Sequence, residues 1–356
     1  MLQTDIELLH QAARLATRGH GCAEPNPLVG CIITNYEGEI VGEGYHEQYG
    51  EAHAEVNALA MAGEKARGGT AYVTLEPCHH QGKTPPCSHA LLDAGIIRVV
   101  IGANDPHKVA SGGAEFLRNN GITVVIVEDK MCINIIAPYT YRTQTGLPWI
   151  TCKWAQTSDG CIEMPSHESP WISCKESQQL VHEERGCVDA IVVGIGTVVA
   201  DNPSLTVRNA PKYRTPLRVV IDPTLRISPD AKILNHDAPT LIAYADGANT
   251  SNVPSNHLLD LPCNNGILDL ASLFRHLATK YDATNIIVEG GATLFQHIFN
   301  QNLANELWVF ISPKKSGITP KINMNSLLNS LSVSLLDEQP CGTDIVRKYA
   351  VNTSQQ

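Results

Sequence analysis

The sequence predicts an α/β protein of two domains, and three observations carry that expectation. The chain has 356 residues, which at roughly 150 residues per domain suggests about two. Short apolar strands alternate with helical periodicities, the pattern of layered α/β domains with helices on both sheet faces. The periodicity lapses over residues 137–148, and the boundary is placed there, dividing the chain into 1–145 and 146–356.

In the first segment Ile6, Leu8, Leu9, Ala12, Ala13, Leu15 and Ala16 recur at helical spacing, with Asp5 as the expected N-cap and Gly19 near the stop. Strands are expected at 28–33 and 39–44 around a polar turn at 35–38. Residues 52–65 read as a helix, 71–75 as a short apolar strand, 88–94 as a helix and 98–101 as a strand. A further helix ends at 116–120, and 122–127 is a β-branched strand. The second segment restarts with a strand at 149–154 and a strongly polar helix at 175–186. Apolar strands follow at 190–193, 218–221, 240–243, 285–288 and 306–311. A helix is expected after Gly291, capped by Thr293, with Leu294, Phe295, Ile298 and Phe299 as its apolar stripe. Residues 249–265, rich in Asn and Pro, read as a surface loop, and no internal repeat or low-complexity tract is visible.

Composition narrows the function. Hydrophobic residues make up 43%, which excludes wholesale disorder. The net charge of −10 argues against a broad nucleic-acid or anionic-membrane surface, while leaving room for a local basic pocket. The start lacks the basic and apolar regions of an export signal, and the apolar run at 190–200 is too short to cross a bilayer. A cytoplasmic protein is therefore expected. Of eleven cysteines, Cys31, Cys152 and Cys187 read as small buried hydrophobes of a reducing compartment. Cys78 and Cys87 do not.

The sequence His53-Ala54-Glu55, then Pro77-Cys78, then Cys87 is the strongest chemical signal. One imidazole and two thiolates make a tetrahedral zinc shell with one position open to water. A carboxylate beside a ligand, Glu55, can move a proton from that water to a leaving amine, the arrangement of zinc-dependent deaminases. Alternatives stay open here: His79, His80 or His89 as a fourth ligand of a closed structural site, or no metal at all. Eight residues separate the cysteines, unlike the two in nucleic-acid-editing deaminases. In the second segment no G-x-G-x-x-G follows a strand. Instead Val193-Gly194-Ile195-Gly196-Thr197 and Glu289-Gly290-Gly291-Ala292-Thr293-Leu294 place glycines where a backbone can approach a pyrophosphate, or simply make tight turns.

At this point the chain resembles the bifunctional riboflavin-biosynthesis deaminase–reductases. Gly82-Lys83-Thr84-Pro85-Pro86-Cys87 matches their ten-residue zinc loop, and Pro25-Asn26-Pro27-Leu28-Val29-Gly30 their early substrate loop. Lys153-Trp154-Ala155, Ser158-Asp159-Gly160, Glu168-Ser169-Pro170-Trp171-Ile172 and the run Asp201 to Arg208 match their reductase half. The resemblance implies a cytidine-deaminase-like three-layer α/β/α domain followed by a dihydrofolate-reductase-like α/β domain. It implies Zn2+ on His53, Cys78 and Cys87, with Glu55 catalytic and Asn26, His46, Lys83 and Asp105 lining the substrate pocket. It implies NADPH at Ala155, Trp171, Thr197, Asp201, Gly291, Ala292, Thr293 and Leu294. It implies a ribose-phosphate held by Ser169, Arg185, Leu205, Arg208 and Glu289, and two arginine forks suit a phosphate dianion.

The implied activity is hydrolytic deamination of 2,5-diamino-6-(5-phosphoribosylamino)pyrimidin-4(3H)-one, then reduction of its ribosyl group to ribityl. A homo-oligomer with a small-molecule substrate, without nucleic acid or membrane, is expected. His107 stands where the family commonly has Asn, and His167 and Cys161 where it usually has small or basic residues. The changes at His107 and His167 leave a narrower reading, in which one half is inactive or altered in substrate. A separate alternative is a zinc-stabilised binding module without catalysis, which requires four protein ligands.

Overall fold

The computed structural model describes residues 3–80, 85–107, 112–165, 171–250, 253 and 257–352. Lys83, His167 and Ser169 lie outside them. The chain divides into two compact units, Met1–Gly146 and Leu147–Gln356.

The first unit runs α1 (Gln3–Ala16), β1 (Gly30–Thr34), β2 (Ile40–Tyr45), α2 (Ala54–Ala62), β3 (Thr70–Val73), α3 (Cys87–Asp93), β4 (Arg98–Ile101), α4 (Gly113–Asn119), β5 (Thr123–Ile126), α5 (Lys130–Ile135) and α6 (Ala137–Thr145). Its sheet has the order β2-β1-β3-β4-β5. The strand β1 is antiparallel to both neighbours, and β3, β4 and β5 are parallel. Successive β1 residues serve opposite faces, as the two-residue strand period requires. Ile33 packs with Ala54, Ala58, Leu91 and Leu117 from α2, α3 and α4. Ile32 packs with Leu9, Ala12, Ala13 and Cys132 from α1 and α5. The result is three layers, α/β/α.

The second unit contains β6 (Trp149–Thr157), α7 (Lys175–Arg185), β7 (Ala190–Gly194), α8 (Ile195–Asp201), β8 (Leu217–Ile221), β9 (Thr240–Ala245), β10 (Leu258–Leu261), β11 (Cys263–Asn264), β12 (Ile267–Leu268), α9 (Leu270–Lys280), β13 (Asn285–Val288), α10 (Ala292–Asn300), β14 (Glu306–Ser312), α11 (Met324–Asn329), β15 (Val333–Cys341) and β16 (Asp344–Val351). Its main sheet has the order β10-β9-β8-β7-β13-β6-β14-β16-β15. It is parallel from β10 through β14 and closes with the antiparallel pair β16 and β15. One face packs Val192, Val219 and Val288 on Leu273, Phe274, Phe295 and Ile298. The other packs Val193, Val220 and Ile287 on Ile195 and Val198. These near-continuous apolar strands are what a parallel sheet covered on both faces demands.

Several expectations are corrected. Asp5 is not the cap of α1 but lies inside its first turn, buried and bonded at both oxygens to Arg98. Residues 137–148 are not an irregular linker: most form α6, entered through Pro138 and stopped by Gly146 in the left-handed region. No residue of α6 is fully buried, so it carries no apolar stripe to read. Within 249–265 the loop expectation fails at β10 and β11, strands of four and two residues. Gly291, not Thr293, is the N-cap of α10. Cys187 is only half-buried, whereas Cys31 and Cys152 are fully so.

Candidate active sites

In the first unit the elements that hold the site are tied by close backbone contacts. His53 is the N-cap residue of α2 and Glu55 stands in its first turn. Gly44 of β2 faces that turn: a Cβ there would stand 2.5 Å from the Ala54 carbonyl oxygen and 2.5 Å from the Ala58 nitrogen. Only glycine lets α2 lie this close to the sheet. The loop after β3 carries Cys78, and α3 opens with the buried Cys87, whose N–H donates to Cys78 Sγ at 3.4 Å. Just before them Glu76 Oε1 accepts the Gly112 and Ala114 N–H groups, each at 3.0 Å, clamping the start of α4 to the cysteine loop.

His53 Nδ1 lies 3.6 Å from Cys78 Sγ and 3.3 Å from Cys87 Sγ, and the three donor atoms all fall within 4.8 Å of one another. Tetrahedral zinc with sulfur at about 2.3 Å and nitrogen at about 2.0–2.1 Å separates such atoms by about 3.6 Å. The donor set and its spacing therefore fit zinc. Among the described residues no further His, Cys, Asp or Glu joins the cluster. His79 bonds Ser88 Oγ at 2.9 Å and stacks, with His89, on Phe116. The Cys87 thiol bonding to Cys78, together with His53, pulls the Cys78 thiol well below its usual range. Burial and then the negative Cys78 push Glu55, only 3% exposed, up to about 7.

His46 lies edge-on to His53, with ring centroids 5.1 Å apart. Its Nδ1 meets the Ala52 carbonyl at 3.1 Å and its Nε2 meets Asn26 Nδ2 at 3.0 Å. A carbonyl can only accept, so Nδ1 carries the proton and Nε2 accepts from the Asn26 amide. Burial lowers the His46 pKa, keeping the ring neutral. The Asn26 oxygen is thereby turned away from His46. Asp105 Oδ1 accepts the His107 N–H at 2.8 Å. The contact uses the main chain, so it survives the histidine at 107.

In the second unit several candidate residues follow the carboxyl ends of the parallel strands β7 and β13, the edge where open α/β sheets bind ligands. The turn after β7 leads into α8 with Thr197 and Asp201; the turn after β13 leads into α10. A Cβ on Gly196 or Gly291 would meet nothing within 4 Å, so a ligand can approach both backbones. At the same edge Asp222, fully buried after β8, bonds the Ile227 N–H through Oδ2 and leaves Oδ1 without a protein partner. Open glycine turns and an orphaned acceptor suit a polyhydroxylated, phosphorylated cofactor. Ala155 is half-buried on β6, and Trp171 is 58% exposed with its carbonyl accepting Lys314 Nζ at 2.8 Å. Leu294 is different: its side chain is buried against Gly290 and Gly194, and its N–H already bonds the Gly291 carbonyl. Leu205 is likewise 4% exposed, in the left-handed region at φ 48°.

Arg185 and Glu289 form a two-pronged pair, Nε to Oε1 at 2.6 Å and Nη2 to Oε2 at 2.8 Å. Burial alone would raise the Glu289 pKa, but Arg185, Lys153 and His182 outweigh it and hold the carboxyl at about 2. Sequence reasoning assigned no role to Lys153 or His182. Lys153 lies on β6 with Nζ over the Phe310 ring at 5.3 Å, and burial depresses its pKa. His182 stands three residues before Arg185 on α7, a one-face spacing that could have flagged it.

Comparison with known proteins agrees with both halves. Residues 148–346 match the family described as RibD C-terminal domain. Residues 2–103 match the cytidine and deoxycytidylate deaminase zinc-binding region. Riboflavin biosynthesis protein RibD of Aquifex aeolicus is 39% identical over 355 residues, covering 97% of this chain and 98% of that protein. The RibD of Escherichia coli is 40% identical over 329 residues, covering 88% and 89%. Among solved structures, Acinetobacter baumannii RibD matches with a TM-score of 0.84 at 33% identity over 99% of this chain and all of that one. A Thermotoga maritima diaminohydroxyphosphoribosylaminopyrimidine deaminase/5-amino-6-(5-phosphoribosylamino)uracil reductase matches with a TM-score of 0.83 at 30% identity, covering 98% of each chain. No helix among the described residues is long and apolar enough to cross a membrane. This chain belongs to the RibD family of bifunctional riboflavin-biosynthesis enzymes, which pair a zinc-dependent deaminase with an NADPH-dependent reductase.

Proposed function

We propose that the two units act successively on one phosphoribosyl pyrimidine. The first removes an amino group hydrolytically from 2,5-diamino-6-(5-phosphoribosylamino)pyrimidin-4(3H)-one; the second reduces the ribosyl group of the product to ribityl. The observation that carries the reading is the meeting of His53, Cys78 and Cys87 beside a buried carboxylate, Glu55.

In the first unit His53, Cys78 and Cys87 hold the zinc. Zinc, when bound, supplies Lewis acidity that lowers the pKa of water towards about 7. Glu55 moves the protons: a carboxyl poised near neutrality can take one from water and give one to the departing ammonia. Asn26, oriented by neutral His46, offers its amide oxygen to a pyrimidine N–H. Asp105 completes the pocket, and the family resemblance adds Lys83, which lies outside the described residues.

In the second unit Ala155, Trp171, Thr197 and Asp201, with the α10 turn at Gly291, Ala292 and Thr293, would hold NADPH, and Leu294 would seat that turn from the core. The cofactor, when bound, supplies hydride to the sugar C1. Arg185, Arg208, Ser169 and the Leu205 main chain hold the ribose phosphate, while Glu289 fixes the Arg185 fork. Eleven cysteines, none of them in a disulfide among the described residues, suit a reducing cytoplasm, and a homo-oligomer follows from the family reading, to be measured by light scattering.

The test is Glu55→Gln. It retains zinc, abolishes ammonia release and leaves NADPH oxidation with supplied deaminated intermediate intact. Ammonia release at the parent rate would defeat the proton-transfer role.

A further inference from the structure

His182 and Arg185 share one face of α7, and Arg208 meets that face from the loop after α8. Arg208 approaches His182 twice: its backbone N–H points at Nδ1 from 3.2 Å, and its guanidinium Nη2 lies 3.4 Å from Nε2. A neutral imidazole has one acceptor and one donor nitrogen, so only one of these contacts is a hydrogen bond. The main-chain contact is the shorter. Its donor is also the better fixed, because Gln179 Nε2 grips the next carbonyl, that of Asn209, at 2.9 Å. The guanidinium, by contrast, belongs to an exposed residue. Nδ1 therefore accepts and Nε2 carries the proton. Nε2–H and Nη2–H then face each other as two donors, with no acceptor between them among the described residues.

Protonating the ring does not relieve this arrangement. Burial, with Arg185 and Arg208 close by, holds the His182 pKa down to about 4. The surrounding charge is cationic: Lys153, Arg185 and Arg208 stand against Glu289, and Glu289 is already engaged by Arg185. An oxyanion seated between Nε2 and Nη2 satisfies both donors and balances the charge.

We propose that His182 is a phosphate-contacting residue of the reductase unit. Its Nδ1 seats the Arg208 backbone, and its Nε2–H shares one phosphate oxygen with the Arg208 guanidinium. The proposal rests on the reading above that Arg185 and Arg208 take the substrate phosphate.

The test compares reduction of the deaminated phosphoribosyl substrate with reduction of its dephosphorylated riboside by the full-length enzyme. Asparagine can mimic Nδ1 as an acceptor but has no donor at Nε2; glutamine places its amide donor near Nε2. His182→Asn raises KM for the phosphorylated substrate about tenfold or more. It leaves kcat, the NADPH KM and the riboside kcat/KM unchanged. His182→Gln restores most of the affinity. A parent-like KM in His182→Asn, or equal losses on substrate and riboside, overturns the proposal. Arg208→Ala separates the two readings. If it too spares the preference for phosphorylated substrate, the phosphate assignment itself fails; if it destroys that preference while His182→Asn keeps it, only the role of His182 fails. A titration of the unaltered enzyme, with isotope-labelled histidine, bypasses any folding defect. Ribose 5-phosphate shifts the His182 Nε2 resonance and ribose does not; no shift at saturating ribose 5-phosphate refutes the contact.

Discussion

Glu289→Gln removes one charge from the buried pair with Arg185, whose side chains are each 11% exposed. The carboxyl is held at about 2 against an ordinary value of 4.5. That difference of about 2.5 units, at 1.36 kcal/mol per unit, corresponds to about 3 kcal/mol. The sign follows from the direction. A depressed carboxyl stabilises the fold above its unfolded pKa, and the contribution is lost as pH falls through the folded value. The parent should therefore lose stability from about pH 4.5 downwards, towards pH 2. The variant has nothing to titrate there, and at neutral pH it leaves the Arg185 guanidinium beside Lys153 without its partner. We expect Glu289→Gln to be about 3 kcal/mol less stable at pH 7, with the gap closing in acid. Urea unfolding followed by tryptophan fluorescence measures this unit alone, because all four tryptophans, at 149, 154, 171 and 308, lie in it. Equal midpoints at pH 7, or parallel stability curves through the acid range, would refute the account of this pair.

Three further outcomes follow from particular contacts. Arg98 reaches both oxygens of Asp5 at 2.9 Å, and Asp5 is 2% exposed; Arg98→Met should cost about 2 kcal/mol in thermal unfolding of the first unit, since it takes a two-pronged cationic partner from a buried carboxylate. Gly44→Ala should destabilise by about 1–3 kcal/mol and lower zinc content in metal analysis, because the new methyl displaces the α2 turn that carries His53 and Glu55. Chelation at neutral pH should end ammonia release while sparing NADPH oxidation with supplied deaminated intermediate; loss of both would contradict separate chemistry in the two halves.

What the sequence disclosed of the fold follows burial. The parallel strands β7, β8, β13 and β14 are apolar runs and stand out, as does α10 with its apolar stripe. The hairpin of β15 and β16 was not expected, and β15 is exposed over most of its length. A strand at a sheet edge with little to bury has no reason to alternate apolar and polar residues. The same physics hid α6. Asp5 misled for another reason: an acidic residue ahead of an apolar periodicity usually caps, but here Arg98, distant in sequence, claims it from across the fold.

The two sites differ in legibility because their chemistries restrict residue type to different degrees. Zinc draws its protein ligands from few side chains, chiefly imidazole, thiolate and carboxylate, so His53, Cys78 and Cys87 stand out despite their separation in sequence. A phosphate accepts from any convergent donor, main chain included. His182 therefore passes unnoticed, and Lys153 carries no role beyond its place in a matching run, until the fold brings them to Arg185, Arg208 and Glu289. Leu205 and Leu294 show the converse. Each matches a family position associated with a ligand, yet each side chain is buried in the core. What they contribute is the placement of backbone: Leu205 is held at φ 48°, a conformation that a leucine keeps only when its buried side chain anchors it. Identity at such positions records how the loop is packed, and the ligand reads the loop.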